Sequence, residues 1–227
     1  MKRKLSKITL ILLIFTLALP LGACAAETEA STAEPEDIPQ MEFEDVSPDD
    51  WFYRYVTNGL RFGLIEGVGD GRFEPNRNVT RAEFITMLGR LHEYGNETIG
   101  TPGDGPFYER YLDWAVEMGI IHGNQYGDLM PHTFITREQM AVIVNRYIRV
   151  FELHEYVNPR GMVLMMSFPD SDISYWARGP VEFLRVSQLV FGTSIWSFRP
   201  RDNATRAEVL AILVRICSAV YDLNHPM

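Results

Sequence analysis

Three arginines recur in a position where a positive charge is electrostatically unfavourable. Arg81, Arg137 and Arg206 each follow a threonine, and Glu or Gln stands three residues after that threonine. This spacing predicts a capping box, so each arginine should be the first residue of a helix. A cation there opposes the helix dipole by roughly 0.3–1 kcal/mol. The free backbone amides, the dipole and a guanidinium could converge on one anion, with the bidentate geometry that suits a carboxylate or a phosphate.

The same arginines allow a second interpretation. Each could pair with an acidic residue of a neighbouring unit and hold the molecule together, because repeat proteins reuse interface contacts. The residue types and their spacing are consistent with both roles. The two roles differ in accessibility, since an anion site leaves the guanidinium open to a groove, whereas a purely structural ion pair seals it off.

The arginine motif is one part of a longer repeat. Each arginine lies six residues after a proline and fourteen after a glycine, namely Pro75 and Gly67, Pro131 and Gly123, and Pro200 and Gly192. Sixteen residues before each glycine stands an aromatic residue, Trp51, Phe107 or Trp176. A register of this length, kept three times, indicates internal repetition. We call the three copies unit one (43–92), unit two (106–149) and unit three (168–220).

Each unit is predicted to contain two helices. The second begins at the arginine and has apolar residues at i, i+3, i+4 and i+7, as in Phe84, Met87, Leu88 and Leu91. The first is shorter and runs from Trp51 to about Phe62, from Tyr111 to Met118, and from Pro180 to Ser187, with Asp49 or Asp50 capping the first copy. The sequence therefore predicts an all-α fold of three helix-turn-helix units whose apolar stripes share a central bundle.

The ordered series of motifs resembles the S-layer homology family. Unit one carries the series almost throughout, as Phe43-Glu44-Asp45-Val46, Trp51, Gly63 to Gly67, Asp70 to Pro75 and Val79 to Glu83. Unit two departs from the pattern, because it has Phe107 for Trp, Gln139 for Glu and no Phe-x-Asp opening. Unit three opens with Phe168-Pro169-Asp170 but has Ile195-Trp196 where Asp-Gly is expected.

The resemblance implies a three-pronged, pseudo-threefold helical bundle. Such a bundle would bind secondary cell-wall polysaccharide attached to peptidoglycan, often through a pyruvylated sugar. Arg81, Arg137 and Arg206 would then face the ketal carboxylate in the grooves between the prongs. The departures in units two and three predict that some grooves are inactive, and they leave Arg81 as the strongest single candidate.

The resemblance also suggests roles for two tryptophans and two aspartates. Trp51 and Trp176 would be platforms for sugar rings or, equally, part of the core under the loop. Asp45 and Asp170 would orient the opening loop or accept hydrogen bonds from sugar hydroxyls. All four positions belong to units one and three, since the opening of unit two is missing.

Residues 1–23 are predicted to be a secretion signal. Four basic residues precede an apolar run from Ile8 to about Leu19, which is too short for a comfortable membrane span. Leu21 to Cys24 resembles a bacterial lipobox, so Cys24 is expected to carry a lipid; the rival is ordinary cleavage at an Ala-x-Ala site from Ala23 to Ala25. Residues 24–42 are acidic and are predicted to be a flexible tether. The protein is therefore expected at the cell surface or cell wall, attached to the membrane if the lipobox is used.

Composition and charge narrow the function. The net charge is −9, and removal of the four basic residues in the signal leaves about −13, which argues against nucleic acid as a partner. The five histidines are scattered without metal-ligand spacing, so neither a metal, a cofactor nor catalysis is expected. A monomer is expected, because three units can close on one another. Non-catalytic carbohydrate binding is the preferred function; the alternatives are a protein-interaction scaffold with degenerate grooves and a small subunit of an envelope enzyme complex.

Overall fold

The computed structural model describes residues 43–96, 98–101, 103–157, 172–192 and 197–221. Within these residues the chain forms seven helices: α1 (Tyr53–Arg61), α2 (Arg81–Gly95), α3 (Glu109–Glu117), α4 (Arg137–Val150), α5 (His154–Val157), α6 (Tyr175–Val186) and α7 (Arg206–Tyr221). The described residues contain isolated β-bridges but no strand, so the all-α prediction is confirmed. The predicted signal, the tether, Cys24 and Asp170 lie outside the described residues.

The second helix of each unit begins where the sequence predicts. Arg81, Arg137 and Arg206 are the first residues of α2, α4 and α7. Thr80 and Thr136 complete capping boxes with Glu83 and Gln139. The same reciprocal bonds occur before α7, where the Thr205 amide donates to the Glu208 carboxylate at 3.0 Å and the Glu208 amide donates to the Thr205 hydroxyl at 3.4 Å.

The first helices differ from the prediction at their starts. The N-cap of α1 is Phe52, which makes no side-chain cap bond, and the Asp50 carboxylate instead accepts from the Ser47 amide at 2.8 Å. The predicted aspartate cap is therefore wrong, because that carboxylate closes the preceding turn. In unit three α6 begins at Tyr175, so Pro180 lies inside the helix rather than at its start. In unit two α3 begins at Glu109, two residues earlier than predicted.

All three first helices end in the same backbone conformation. The residue that follows the C-cap is left-handed in each case, with φ of 65° at Gly63, 69° at Gly119 and 56° at Gln188. Glycine adopts this conformation without a Cβ clash, whereas glutamine adopts it with strain. The third unit therefore keeps the turn geometry although it has lost the glycine.

The three units meet at a closed ring of backbone hydrogen bonds. The Val79 amide donates to the Ala204 carbonyl at 3.0 Å, the Ala204 amide to the Ile135 carbonyl at 2.9 Å, and the Ile135 amide to the Val79 carbonyl at 3.0 Å. All three side chains are fully buried. Each bond joins two different units in the same cyclic order, so the ring marks the centre of a pseudo-threefold arrangement. We call it the axial ring.

Helices pack across unit boundaries rather than as simple hairpins. The first helix of each unit lies on the second helix of another: α1 on α7, α3 on α2, and α6 on α4. Each prong of the bundle is therefore made from two units. Inside the bundle, the apolar stripes of α2, α4 and α7 form one buried core, which includes Phe84, Leu88, Tyr147 and Leu213. Among the described residues, none of the helices combines the length and apolar character that crossing a bilayer requires.

Candidate functional site

Each motif arginine reaches into another unit through both its backbone and its side chain. The guanidinium Nε donates to a backbone carbonyl in every case: Arg81 to Leu129 at 2.9 Å, Arg137 to Phe198 at 2.8 Å, and Arg206 to Phe73 at 2.8 Å. The backbone amides of the same arginines donate to the carbonyls of Thr133, Asp202 and Arg77, all at 2.9 Å. The arginines therefore link unit one to two, two to three, and three to one.

The accepting loops are held in an unusual conformation. The residue that follows each accepting carbonyl has a positive φ, of 57° at Glu74, 53° at Met130 and 55° at Arg199. None of the three is glycine, so each conformation carries strain of roughly 1 kcal/mol or more. The same left-handed residue therefore accompanies the arginine junction in all three units.

The three guanidinium groups differ in burial and in partners. Arg137 is 4% exposed and Arg206 is 8% exposed, whereas Arg81 is only half-buried. Arg137 forms an ion pair with Glu208 at 2.5 Å and also donates to the Phe191 carbonyl at 3.2 Å. The interpretation as an acidic inter-unit pair therefore holds for one arginine. In all three, the constant partner is a backbone carbonyl.

The two buried guanidinium groups, but not that of Arg81, each lie over an aromatic ring of the loop that accepts their hydrogen bond. The guanidinium carbon of Arg137 lies 4.8 Å from the centre of the Phe198 ring, and that of Arg206 lies 4.8 Å from the Phe73 ring. The equivalent residue beneath Arg81 is Leu129, which offers no such attraction. Burial lowers the pKa of Arg81, and the nearby charge of Arg146 lowers it further.

A second set of arginines lies beside the first and was not recognised from the sequence. Arg90, Arg146 and Arg215 each stand nine residues after a motif arginine. The Nη1 of Arg146 donates to the Ile120 carbonyl at 3.4 Å, and that of Arg215 donates to the Leu189 carbonyl at 3.0 Å. The constant spacing was the available signal. These arginines lie on the polar side of each second helix, outside the capping box and the apolar stripe that define the repeat.

The aromatic residues that open the first helices lie on the surface. Trp51 is 60% exposed, Phe107 is 67% exposed and Trp176 is 53% exposed. The alternative that the tryptophans belong to the core is therefore wrong. Exposed aromatic faces at equivalent positions are costly to leave in water and commonly mark binding surfaces.

These residues come together in grooves between the prongs. The groove on α7, which we call the α7 groove, has a volume of about 410 Å³ and is lined by Trp51, Arg137, Phe191, Glu208 and Arg215 among others. The groove on α2, the α2 groove, has a volume of about 190 Å³, and its lining includes Arg90, Phe107 and Tyr111. Side chains from different units therefore contribute to a single groove.

The repeat register places the corresponding α4 groove at Arg81, Gln139, Arg146 and Trp176. Arg81 and Arg146 correspond to Arg137 and Arg215, which line the α7 groove together, and the charge of Arg146 lowers the pKa of Arg81 after the larger effect of burial. Glu138 on α4 accepts from the amide and the hydroxyl of Ser174, both at 3.0 Å, which holds the start of α6 against α4.

Asp45 positions a loop instead of lying free for a ligand. Its carboxylate accepts from the amides of Phe73 and Glu74, both at 2.8 Å. Partial burial opposes ionisation, but these two donors hold the pKa of Asp45 below its ordinary value. Since the Phe73 carbonyl is the acceptor for Arg206, Asp45 supports the junction between units one and three. Asp170, the predicted counterpart, lies outside the described residues.

The described residues offer no metal site. Among them, no group of three or more His, Cys, Asp or Glu side chains is arranged to hold a metal ion. The linings of the α7 and α2 grooves present guanidinium groups, carboxylates and exposed aromatic faces. Together they can bind a ligand that has both an apolar sugar-like face and an acidic group.

Part of the chain matches a known protein-family model. The chain contains two matches to the S-layer homology domain. They cover residues 42–85 and 101–141, which hold much of units one and two. The S-layer homology pattern therefore accounts for the capping boxes and for the turns that supply the accepting carbonyls in these two units.

Relatives of known description include both enzymes and an anchoring protein. The chain is 29% identical to an endoglucanase of Bacillus sp. (strain KSM-635) over 93% of its own length, and 33% identical to an amylopullulanase of Thermoanaerobacterium thermosulfurigenes over 75%. It is 30% identical to a cellulosome-anchoring protein of Acetivibrio thermocellus over 56% of its length. The chain spans only 22%, 9% and 28% of these three proteins. It therefore resembles a region that proteins of different activity share.

Proposed function

We propose that this protein is a non-catalytic binder of secondary cell-wall polysaccharide that links the cell surface to the wall. Two S-layer homology matches and the similarity to a cellulosome-anchoring protein support an anchoring role. Similarity to two different glycan-degrading enzymes supports it as well, because a segment shared by unlike enzymes and an anchoring protein is better explained by attachment than by catalysis. The third unit, 168–220, is proposed to be a further S-layer homology repeat, since its junctions repeat those of units one and two.

One observation carries the proposal: an exposed aromatic residue and two arginines occupy the same groove. Trp51, Arg137 and Arg215 line the α7 groove together. A tryptophan face can stack on the apolar face of a sugar ring, while a guanidinium can bind a carboxylate through two parallel hydrogen bonds. A pyruvylated sugar presents both features. We therefore propose a pyruvylated polysaccharide as the ligand.

The proposed binding residues are those predicted from the sequence, with the roles that the contacts support. Arg81, Arg137 and Arg206 would contribute positive charge, and Trp51 and Trp176 would contribute sugar platforms. Asp45 and Asp170 would act by positioning the opening loops. The proposed binder is a monomer at the cell wall.

The alternative is a protein-interaction scaffold in the cell envelope. It is favoured by the extent to which Arg137 and Arg206 are already used within the fold, since both are buried and bonded to carbonyls. A scaffold would bind equally well to walls with and without polysaccharide. Sedimentation with native walls and with walls stripped of polysaccharide therefore distinguishes the two functions, because loss of binding after stripping is expected only for the glycan binder.

The platform role is tested by the double variant Trp51→Ala, Trp176→Ala. Because both side chains are largely exposed, the fold should tolerate the changes, while binding to purified wall polysaccharide should fall by at least about tenfold. Tyr126→Ala is the matched control, since Tyr126 is an 84% exposed aromatic residue on the unit-two turn. Equal binding by the double variant and the control would remove the tryptophans from the site.

The membrane attachment is a separate proposal. Lipidation at Cys24 predicts that labelled palmitate is incorporated into the wild-type protein and not into Cys24→Ser. If the label persists in the variant, the lipobox interpretation is wrong, and ordinary signal cleavage would account for export. Wall binding by the folded region should be the same in both proteins.

A further inference from the structure

The three grooves differ in how far carboxylates of the protein compensate the positive charge of their arginines. The inference drawn from this difference rests on the proposed function. In the α7 groove, the Glu208 carboxylate forms an ion pair with the guanidinium of Arg137, at 2.5 Å between Oε1 and Nη1. Arg215 in the same groove is held by the Tyr55 hydroxyl, at 2.8 and 3.1 Å, and lies over the Tyr55 and Phe191 rings at 4.7 and 4.6 Å. The strongest anion position in this groove is therefore already filled by the protein's own carboxylate.

The α2 groove is also balanced by internal carboxylates. Arg90 pairs with Glu66 at 3.0 Å. Arg206, which the repeat register assigns to this groove, is buried; burial and the charge of Arg77 lower its pKa, while the carboxylates of Glu83, Glu74 and Asp45 act in the opposite direction. An incoming anion would therefore meet repulsion in this groove as well as attraction.

The α4 groove lacks this compensation. The position held by Glu83 in unit one and Glu208 in unit three is Gln139 in unit two. The Gln139 side-chain oxygen accepts from the Thr136 amide at 3.2 Å, so it performs the capping function of the glutamate without its charge. Among the described residues, no carboxylate lies within 4.0 Å of the guanidinium nitrogens of Arg81 or Arg146.

Two neighbouring arginines without a carboxylate repel each other until an anion lies between them. Nε of Arg81 is used by the Leu129 carbonyl, and Nη1 of Arg146 by the Ile120 carbonyl at 3.4 Å. The remaining guanidinium nitrogens are available to a ligand. An exposed tryptophan, Trp176, stands on the helix that covers α4. A preorganised positive site of this kind gains most from binding a negative group.

We propose that the α4 groove is the principal site for the acidic group of the glycan, and that Gln139 is the residue that makes it so. The ligand is the carboxylate of an acidic sugar, bound by Arg81 and Arg146 with its ring on Trp176. In the α7 groove Glu208 acts as an internal competitor for Arg137. The difference between the grooves therefore depends on a single amide-for-carboxylate exchange within a preserved capping box.

The test exchanges these two residues in the full chain. Isothermal titration with a pyruvylated disaccharide should show one dominant site in the wild type, and no heat with the disaccharide that lacks pyruvate. Gln139→Glu should weaken binding at least tenfold, because the new carboxylate would neutralise Arg81. Folding is not at risk from this change, since Glu83 and Glu208 cap α2 and α7 in the same way.

Two further variants make the result decisive. Glu208→Gln should keep the wild-type affinity and add a second site, because it removes the carboxylate that pairs with Arg137 while preserving the cap. Arg146→Gln, at a half-buried position on α4, should reproduce the loss seen with Gln139→Glu. Thermal unfolding of each variant checks that the fold is intact.

The outcomes separate the inference from the function on which it rests. No binding by the wild type would overturn the proposed function. Wild-type binding that Gln139→Glu and Arg146→Gln leave unchanged would overturn the assignment of the α4 groove alone. Loss of binding in Glu208→Gln would place the principal site in the α7 groove instead and would equally overturn it.

Discussion

The junctions around the axial ring and the grooves between the prongs have diverged to very different degrees. At the junctions, the same arginine-to-carbonyl bond and the same left-handed residue occur three times. In the grooves, the equivalent positions hold Glu83, Gln139 and Glu208, or Trp51, Phe107 and Trp176. The junctions must match because each unit completes the next. The grooves bear no such constraint, so their charge can change while the fold is kept.

The largest loss of stability is expected from a substitution in the axial ring. Ile135→Asp should destabilise the protein by at least about 4 kcal/mol, because an unpaired carboxylate would be buried where the three units meet. Phe134→Asp is the neighbouring control, at a side chain that is 50% exposed, and should cost less than about 1 kcal/mol. Urea unfolding measures both. A similar loss for the two variants would show that the ring is not the critical point of closure.

Arg137, which is buried, and Arg81, which is half-buried, provide the next test. Arg137→Ala should cost about 3–5 kcal/mol, since it removes the buried guanidinium that pairs with the Glu208 carboxylate and donates to the Phe198 carbonyl. Arg81→Ala should cost about 1 kcal/mol, because it removes one carbonyl bond and relieves repulsion by Arg146.

Polysaccharide binding should respond in the opposite order, with the larger loss in Arg81→Ala and the smaller loss in Arg137→Ala. Arg81→Ala should weaken pull-down on purified wall polysaccharide while its far-UV spectrum stays helical. Stability is measured by thermal unfolding of the same samples. If Arg81→Ala unfolds as readily as Arg137→Ala, the distinction between a structural and a binding arginine is lost.

A residue that should make the stability of the protein depend on pH lies near the C-terminal end of α2. The ring of His92 packs against those of Trp114 and Phe151, with centroid distances of 5.1 and 4.3 Å, and burial lowers the pKa of His92. A histidine whose folded pKa is depressed takes up a proton more readily when unfolded. Its contribution is therefore complete above the unfolded pKa of about 6.5 and is lost as the pH falls through the folded value.

The corresponding measurement is stability against pH. The wild type should lose stability as the pH falls below about 6.5, and His92→Phe should flatten that part of the curve. The equivalent residues in units two and three are Ile148 and Cys217, which do not charge in this range. An unchanged slope in the variant would assign the acid sensitivity elsewhere.

The smallest expected effect restores symmetry at the end of α6. Gln188→Gly should stabilise the protein by about 0.5–1 kcal/mol, because the left-handed conformation would no longer carry a Cβ. Gly63→Gln is the reciprocal variant and should destabilise by a similar amount. Denaturant midpoints report both changes. Equal midpoints throughout would mean that the turn relaxes without cost.

The local features could be predicted from the sequence, and the long-range ones could not. The caps at Thr80 and Thr136 follow from spacing within four residues, and they are confirmed. The start of α1 was wrong because two candidate caps, Asp49 and Asp50, compete with a turn that uses Asp50 differently. The prediction that the first helix of unit three begins at Pro180 was wrong, because α6 packs on α4 and already begins at Tyr175.

The candidate site illustrates the same limit. The position of Arg81 at a helix start was predictable, whereas its bond to the Leu129 carbonyl joins residues 48 apart and depends on the closed arrangement of units. The exposure of Trp51 and Trp176 likewise depends on which helix covers which. The exchange at Gln139 was visible in the sequence, but its meaning came only from the ion pair between Arg137 and Glu208.

The packing of α1 on α7 has a consequence for the order in which the chain can acquire its structure. The first helix is covered by the last, so a nascent chain that emerges from its N-terminus has no complete prong for α1 until α7 is present. Ribosomal synthesis delivers the segments in that order. The prong that contains α1 can therefore be completed only after the final helix has been synthesised.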